Sequence, residues 1–124
     1  MSVRILWVLM VASLVAGSPV LRAADNYKVT ILQPKKGAML SGKKEIILVK
    51  FQQGKYAIKS LSFLMDQSEV TTDRGPFKES EEISFNFDTT AFTDGKHRLA
   101  VKVVDTKDNP RTDEIEIEIR NKQP

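Results

Sequence analysis

Cysteine is absent from this 124-residue chain, histidine occurs once (His97) and tryptophan once (Trp7). The missing thiols exclude a disulfide scaffold, a thiolate metal centre, a cysteine nucleophile and lipid attachment through cysteine. A lone histidine, with no serine in a nucleophile-elbow setting, leaves little from which to build a nucleophilic triad. There is no internal repeat, no low-complexity linker and no long stretch of helical period. Neither charge sign dominates, with 19 Lys+Arg against 16 Asp+Glu. A chain of this length predicts one domain.

Residues 1–24 read as an export signal. Arg4 gives a basic start, Ile5 to Gly17 holds Ser13 as its only polar residue, and Pro19 and small residues follow. The apolar run is short beside the roughly 20 residues that a membrane-spanning helix needs. Cleavage after Ala24 or Ala23 is expected, with an uncleaved N-terminal helix as the anchored alternative. The expected boundaries are a signal peptide at 1–24 and a domain at 25–124, located in the periplasm or outside the cell with no stable membrane insertion after cleavage.

Removing those residues changes the meaning of the composition. A pI near 9.2 invites a nucleic-acid partner, but Arg4 and Arg22 would leave with the signal. What remains is 17 basic and 16 acidic residues, 34 of the 51 hydrophobic residues, and no tryptophan. A net charge of +1 predicts no attraction to nucleic acid.

From Tyr27 onward the hydrophobic period is two. Tyr27, Val29 and Ile31 alternate with Lys28, Thr30 and Leu32; Ile47, Val49 and Phe51 alternate with Ile46, Leu48 and Lys50. Leu61, Phe63 and Met65 form a third row, Ile83, Phe85 and Phe87 a fourth, Leu99, Val101 and Val103 a fifth, and Ile115, Ile117 and Ile119 a sixth. A short strand is expected around Glu69 to Thr72, and Pro34, Gly54, Asp66–Ser68, Gly75–Pro76 and Asp94–Gly95 punctuate the rows. About seven short strands with one apolar row each predict an all-β fold, an antiparallel β-sandwich preceded by the signal helix. In the last hairpin, pairing Val101 with Ile115 places Lys102 opposite Glu114 and Arg98 opposite Glu118. Each such pair contributes about 0.2–1 kcal/mol, and the Glu114–Glu118 acids then form a solvated face.

Three segments resemble bacterial immunoglobulin-like (Big-type) domains of secreted proteins. They are Val29-Thr30-Ile31-Leu32-Gln33-Pro34 with Gly37-Ala38-Met39-Leu40-Ser41-Gly42, the strand Ile58 to Asp66, and above all Phe87-Asp88-Thr89-Thr90-Ala91-Phe92-Thr93-Asp94-Gly95-Lys96-His97-Arg98-Leu99. The last is similar to the Asp-Thr-Thr…Asp-Gly-x-His-x-Leu pattern of domains attached to secreted glycoside hydrolases and adhesins, and Val103 to Asn109 resembles the turn that follows it, with Asp108 where glycine is usual. The resemblance implies an immunoglobulin-like sandwich in single copy. Such domains act as spacers, adhesive modules and accessory domains, so the fold alone does not select among them.

Candidate chemistry is thin. His97, the only histidine, would need an acid partner such as Asp94 or Asp105 and a nucleophile to act as a general base, and is expected instead to pack or hydrogen-bond at a strand start. Asp105-Thr106-Lys107-Asp108-Asn109-Pro110 has the oxygen donors of a calcium loop but carries Lys107 at its centre, and an Asn-Pro turn is the simpler expectation. Glu81 and Glu82 are adjacent and would point apart in a strand, unlike a glycosidase pair. Phe63, Phe85 and Phe87 belong to the core, whereas Tyr56, Phe77 and Phe92 fall in loops or at strand ends. Leu32, Ile46 and Leu48 sit on the outer row of the first two strands, beside Lys28, Lys44 and Lys50. Exposed apolar patches of this kind mark contact surfaces; burial beneath a loop, or against Tyr27 and the chain end, is the other expectation for these residues.

The sequence therefore predicts an exported, non-catalytic binding or accessory module without cofactor or metal. It would engage a protein or glycan partner through a surface that includes Leu32, Ile46, Leu48, Tyr56 and Phe77. A structural subunit of an envelope or surface assembly is the alternative.

Overall fold

A computed structural model describes residues 26–122; the predicted signal segment lies outside the described residues. Eight strands follow in order: β1 (Lys28–Gln33), β2 (Met39–Leu40), β3 (Glu45–Gln52), β4 (Ile58–Met65), β5 (Ser68–Asp73), β6 (Ser80–Phe87), β7 (Gly95–Asp105) and β8 (Pro110–Ile119). One 3₁₀ turn, Thr89–Ala91, precedes β7. They form a five-stranded sheet in the order β2-β8-β7-β4-β5 and a three-stranded sheet in the order β1-β3-β6.

The period-two rows become the core. Tyr27, Val29, Ile31, Ile47, Val49 and Phe51 from the smaller sheet meet Leu61, Phe63, Met65, Leu99, Val101, Val103, Ile117 and Ile119 from the larger. Phe63 lies between Phe87 and Phe85, with ring centroids at 5.5 and 6.4 Å. Burial of apolar area at about 25 cal/mol per Å² is the main source of cohesion here, since the chain has no cysteine to cross-link.

Polar side chains fix how the strands enter and leave. The β4–β5 hairpin turns through Asp66 and Gln67, both at positive φ (52° and 73°), as a two-residue type I′ turn requires. Thr89, fully buried, ties three segments together. Its Oγ1 accepts from Gly42 N–H and donates to Asn121 Oδ1, while Asn121 Nδ2 donates to the Thr89 and Phe92 carbonyls. Asp88 caps the 3₁₀ turn through Thr90 N–H, and Asp94 accepts the N–H groups of Asn121 and Lys122. The Asp-Thr-Thr…Asp-Gly segment is thus a latch on the C-terminal end of β8.

The described residues hold eight strands, in keeping with the expected seven or so, the addition being the two-residue β2, which is too short to produce a periodic signal. Two expectations need correction. The sandwich is not wholly antiparallel, since β2 runs parallel to β8 with Met39 beside Glu118 and Leu40 beside Ile119. In the last hairpin Leu99, not Val101, pairs with Ile115, so Ala100 faces Glu114 and Arg98 faces Glu116. This register differs by two residues, which leaves every isoleucine on the inner face and still lets Arg98 reach Glu114 diagonally at 2.9 Å.

Candidate functional site

The outer face of the three-stranded sheet gathers the apolar residues that strand alternation placed outward. Strands β1 and β3 are neighbours, with Lys28 beside Gln52, Thr30 beside Lys50 and Gln33 beside Leu48. The register shifts between Ile31 and Gln33, so Leu32 is the bulged residue. On β6 the outward neighbours of Lys50, Leu48 and Ile46 are Glu82, Ser84 and Asn86. Leu32, next in sequence to the Gln33 that pairs with Leu48, and Leu48 itself are half-buried, and Ile46, one outward position further along β3, is 52% exposed. A shallow depression lined in part by Lys28, Thr30, Leu32, Lys50 and Ser80 adjoins them. Tyr27 does not cover this patch. It lies on the inner face, where its hydroxyl donates toward the carbonyls of Asn109 (2.7 Å) and Val103 (3.2 Å), and Arg111 stacks on its ring at 4.6 Å.

Tyr56 and Phe77 lie elsewhere. Tyr56 is a loop residue between β3 and β4, with the Lys55 and Lys107 ammonium groups each 5.7 Å from its ring. Phe77, half-buried in the loop before β6, packs edge-on against the fully buried Phe51 at 5.6 Å, so one side of its ring is committed to the core.

His97 faces inward near the start of β7 and is only 9% exposed. Its Nε2 donates to the Thr93 carbonyl at 2.7 Å, and its Nδ1 donates to Asp66 Oδ2 at 2.5 Å. Asp66 Oδ1 accepts from Arg98 N–H, and Asp66 N–H donates to the Arg98 carbonyl. Burial opposes the imidazolium, but the Asp66 hydrogen bond, the Thr93 carbonyl and the Asp66 charge outweigh it and hold the pKa above 6.5. The partial desolvation of Asp66 is likewise outweighed, by Arg98 N–H and by the His97 bond and charge, so its pKa lies below 3.8. Neither Asp94 nor Asp105 partners the histidine. Sequence reasoning missed Asp66 because it sits 31 positions away, across a sheet pairing.

Asp105 is 3% exposed and serves its own loop. Oδ1 accepts from Lys107 and Asn109 N–H, both at 2.9 Å, and Oδ2 accepts from Asn109 Nδ2 at 3.1 Å. Desolvation opposes its ionisation, and the Asn109 and Lys107 donors with the Arg111 charge more than offset this, so its pKa lies below 3.8. Asp108 pairs with Lys59. Among the described residues, no group of three or more His, Asp or Glu is arranged to hold a metal ion. Glu81 and Glu82 occupy opposite faces of β6, and Glu81 accepts from Lys78 N–H at 2.8 Å. No helix among the described residues is long and apolar enough to cross a membrane.

No family model matches the chain, and no curated protein matches it. Solved structures do. The chain is similar to fibronectin(III)-like modules of Clostridium thermocellum CbhA, at 18% identity and a TM-score of 0.61, with 77% of this chain and 99% of that one covered. It is similar to the endo-beta-1,4-mannanase from Thermotoga petrophila, at 16% identity and a TM-score of 0.62, over 77% of this chain but only 20% of that one. A third similar structure is the CARDB domain of a Pyrococcus furiosus protein in complex with di-metal ions, at 16% identity, a TM-score of 0.55 and coverage of 77% and 89%. Identities this low speak to fold alone, and the fold is an immunoglobulin-like β-sandwich of the fibronectin(III)-like and CARDB kind.

Proposed function

We propose that the chain is an exported, non-catalytic binding or accessory module, acting in the periplasm or outside the cell. It engages a protein or glycan partner through the outer face of the three-stranded sheet. The observation that carries this function is the continuity of Leu32, Leu48 and Ile46 on one exposed face, bordered by Lys28 and Lys50. A soluble sheet face normally alternates toward polar residues, and a contiguous apolar departure favours a contact surface. The absence of catalysis is supported by the commitments of the obvious groups: His97 and Asp66 hold each other, and Asp105 holds its loop. Membership of the Big-type family and the signal peptide belong to the same proposal, resting on the sequence patterns already described.

The test is capture from an envelope extract, with the full chain and its Ile46→Asp/Leu48→Asp double variant as baits. Both positions point away from the core, so the variant keeps its fold by circular dichroism. One dominant partner is expected on the unsubstituted chain and at least tenfold less on the variant. Equal recovery on both baits would exclude this face as the contact surface.

A further inference from the structure

The two sheets have four outer edges, and three carry a feature that blunts pairing with another strand. Strand β1 abuts β8, and its outward Ile31 N–H donates to Asp113 Oδ2 at 2.7 Å. Strand β2 is two residues long. Strand β5 is interrupted by a bulge at Val70, since Phe63 pairs with Thr71 and Leu64 with Glu69. Strand β6 is different, with eight residues paired to β3 in unbroken register.

The phase of that ladder identifies its free groups. Gln53 N–H donates to the Glu79 carbonyl at 2.7 Å, continuing the β3–β6 register. By the alternation of antiparallel pairing, Glu81, Ile83, Phe85 and Phe87 exchange bonds with β3. Ser80, Glu82, Ser84 and Asn86 turn their N–H and C=O groups to the open side, where no other strand among the described residues pairs with them.

There is also room beside that edge. Thr71 of β5 pairs with Phe63 and so faces the same side, yet it is exposed. Strand β5 therefore extends past β6, and no strand of the smaller sheet covers it. The inward side chains of Ile83 and Phe85 are only half-buried along this slot. The rim is acidic: Glu69, Asp73, Glu79, Glu81 and Glu82 stand against Arg74 and Lys78 between residues 68 and 87. Glu69, Glu79 and Glu82 are exposed and form no ion pair with the described residues.

We propose that the free edge of β6 is a strand-addition site for an extended, basic segment of a partner protein. Such a segment would add a fourth strand to the three-stranded sheet, taking main-chain bonds from Ser80, Glu82, Ser84 and Asn86. Its inward apolar side chains would cover Ile83 and Phe85, its outward Lys or Arg side chains would meet Glu82, and Glu79 adds negative charge at the start of the same edge. The same acids disfavour a partner of like charge. This site is distinct from the Leu32–Ile46–Leu48 patch, and the variants below leave that patch intact, so either proposal can fail without the other.

The experiment titrates the full chain with an amidated eight-residue peptide of alternating lysine and valine, with alternating glutamate and valine as control. Amide shifts and fluorescence anisotropy report binding. The lysine peptide is expected to bind and shift the amides of Ser80, Glu82, Ser84 and Asn86, and the glutamate peptide to leave them unmoved. Ser84→Pro removes an outward N–H without breaking a β3 bond and is expected to weaken binding at least tenfold. Glu79→Lys/Glu82→Lys leaves the backbone unaltered, should proline disturb the strand, and is expected to weaken binding about as much. No binding of the lysine peptide, equal binding of both peptides, shifts centred on β2 or β5, indifference to the Glu79/Glu82 variant, or concentration-dependent shifts of the same β6 amides without peptide would overturn the proposal.

Discussion

His97 and Asp66 hold each other between the start of β7 and the β4–β5 turn. Both imidazole nitrogens face acceptors, the Thr93 carbonyl and the Asp66 carboxylate. The site therefore matches an imidazolium, and loss of either ring proton leaves one nitrogen as an acceptor facing another acceptor, the Thr93 carbonyl or the Asp66 carboxylate. The histidine's folded pKa is raised, so its stabilising effect is complete below pH 6.5 and disappears as pH rises through the folded value. The aspartate's folded pKa is lowered, so its effect is present above pH 3.8 and is lost as pH falls through the folded value. Asp66→Asn is a clean probe, because asparagine also tolerates the left-handed conformation of this turn. The variant is expected to lower the His97 pKa in an NMR titration. Its loss in Tm should be larger between pH 4.5 and 6 than above the raised His97 pKa. A pH-independent loss would mean that the charge pairing contributes nothing.

At the scale of elements, seven strand positions and their inner faces were legible because period-two alternation records burial on one side only. Leu32, Ile46 and Leu48 were legible for the same reason, as departures from that alternation. What escaped depended on contacts distant in sequence: the parallel docking of β2, the Asp66 partner of His97, and the seat of Phe77 on Phe51. The hairpin register was misread by two residues because a two-residue slip preserves both faces, leaving only the turn to decide it. That turn takes its shape from Asp105 accepting three donors of its own loop. The β5–β6 loop has a steric check of its own. Gly75 has φ +80°, and a Cβ there would lie 2.8 Å from the Phe77 ring, whereas Gly37, at φ +82°, has nothing within 4 Å. Gly37→Ala is expected to cost about 1 kcal/mol from backbone strain alone. Gly75→Ala is expected to cost about 1–3 kcal/mol, because Phe77 must also leave its seat. Equal losses for the two in urea denaturation would show that Phe77 is not held against the core.

Over the whole molecule, a closed core supports two surfaces of different character. One is the apolar and basic outer face of the three-stranded sheet; the other is the acidic, unpaired edge of β6. A module that engages a partner must keep both open when alone, whereas a subunit of an envelope or surface assembly would cover one of them with further copies of itself. Light scattering on the eluting protein from micromolar to near-millimolar concentration separates these cases directly. A monomer mass throughout, unchanged by Ile46→Asp/Leu48→Asp, is the expected result. A mass that climbs with concentration, and that the double substitution returns to monomer, would contradict the binding-module function and establish self-assembly through this face.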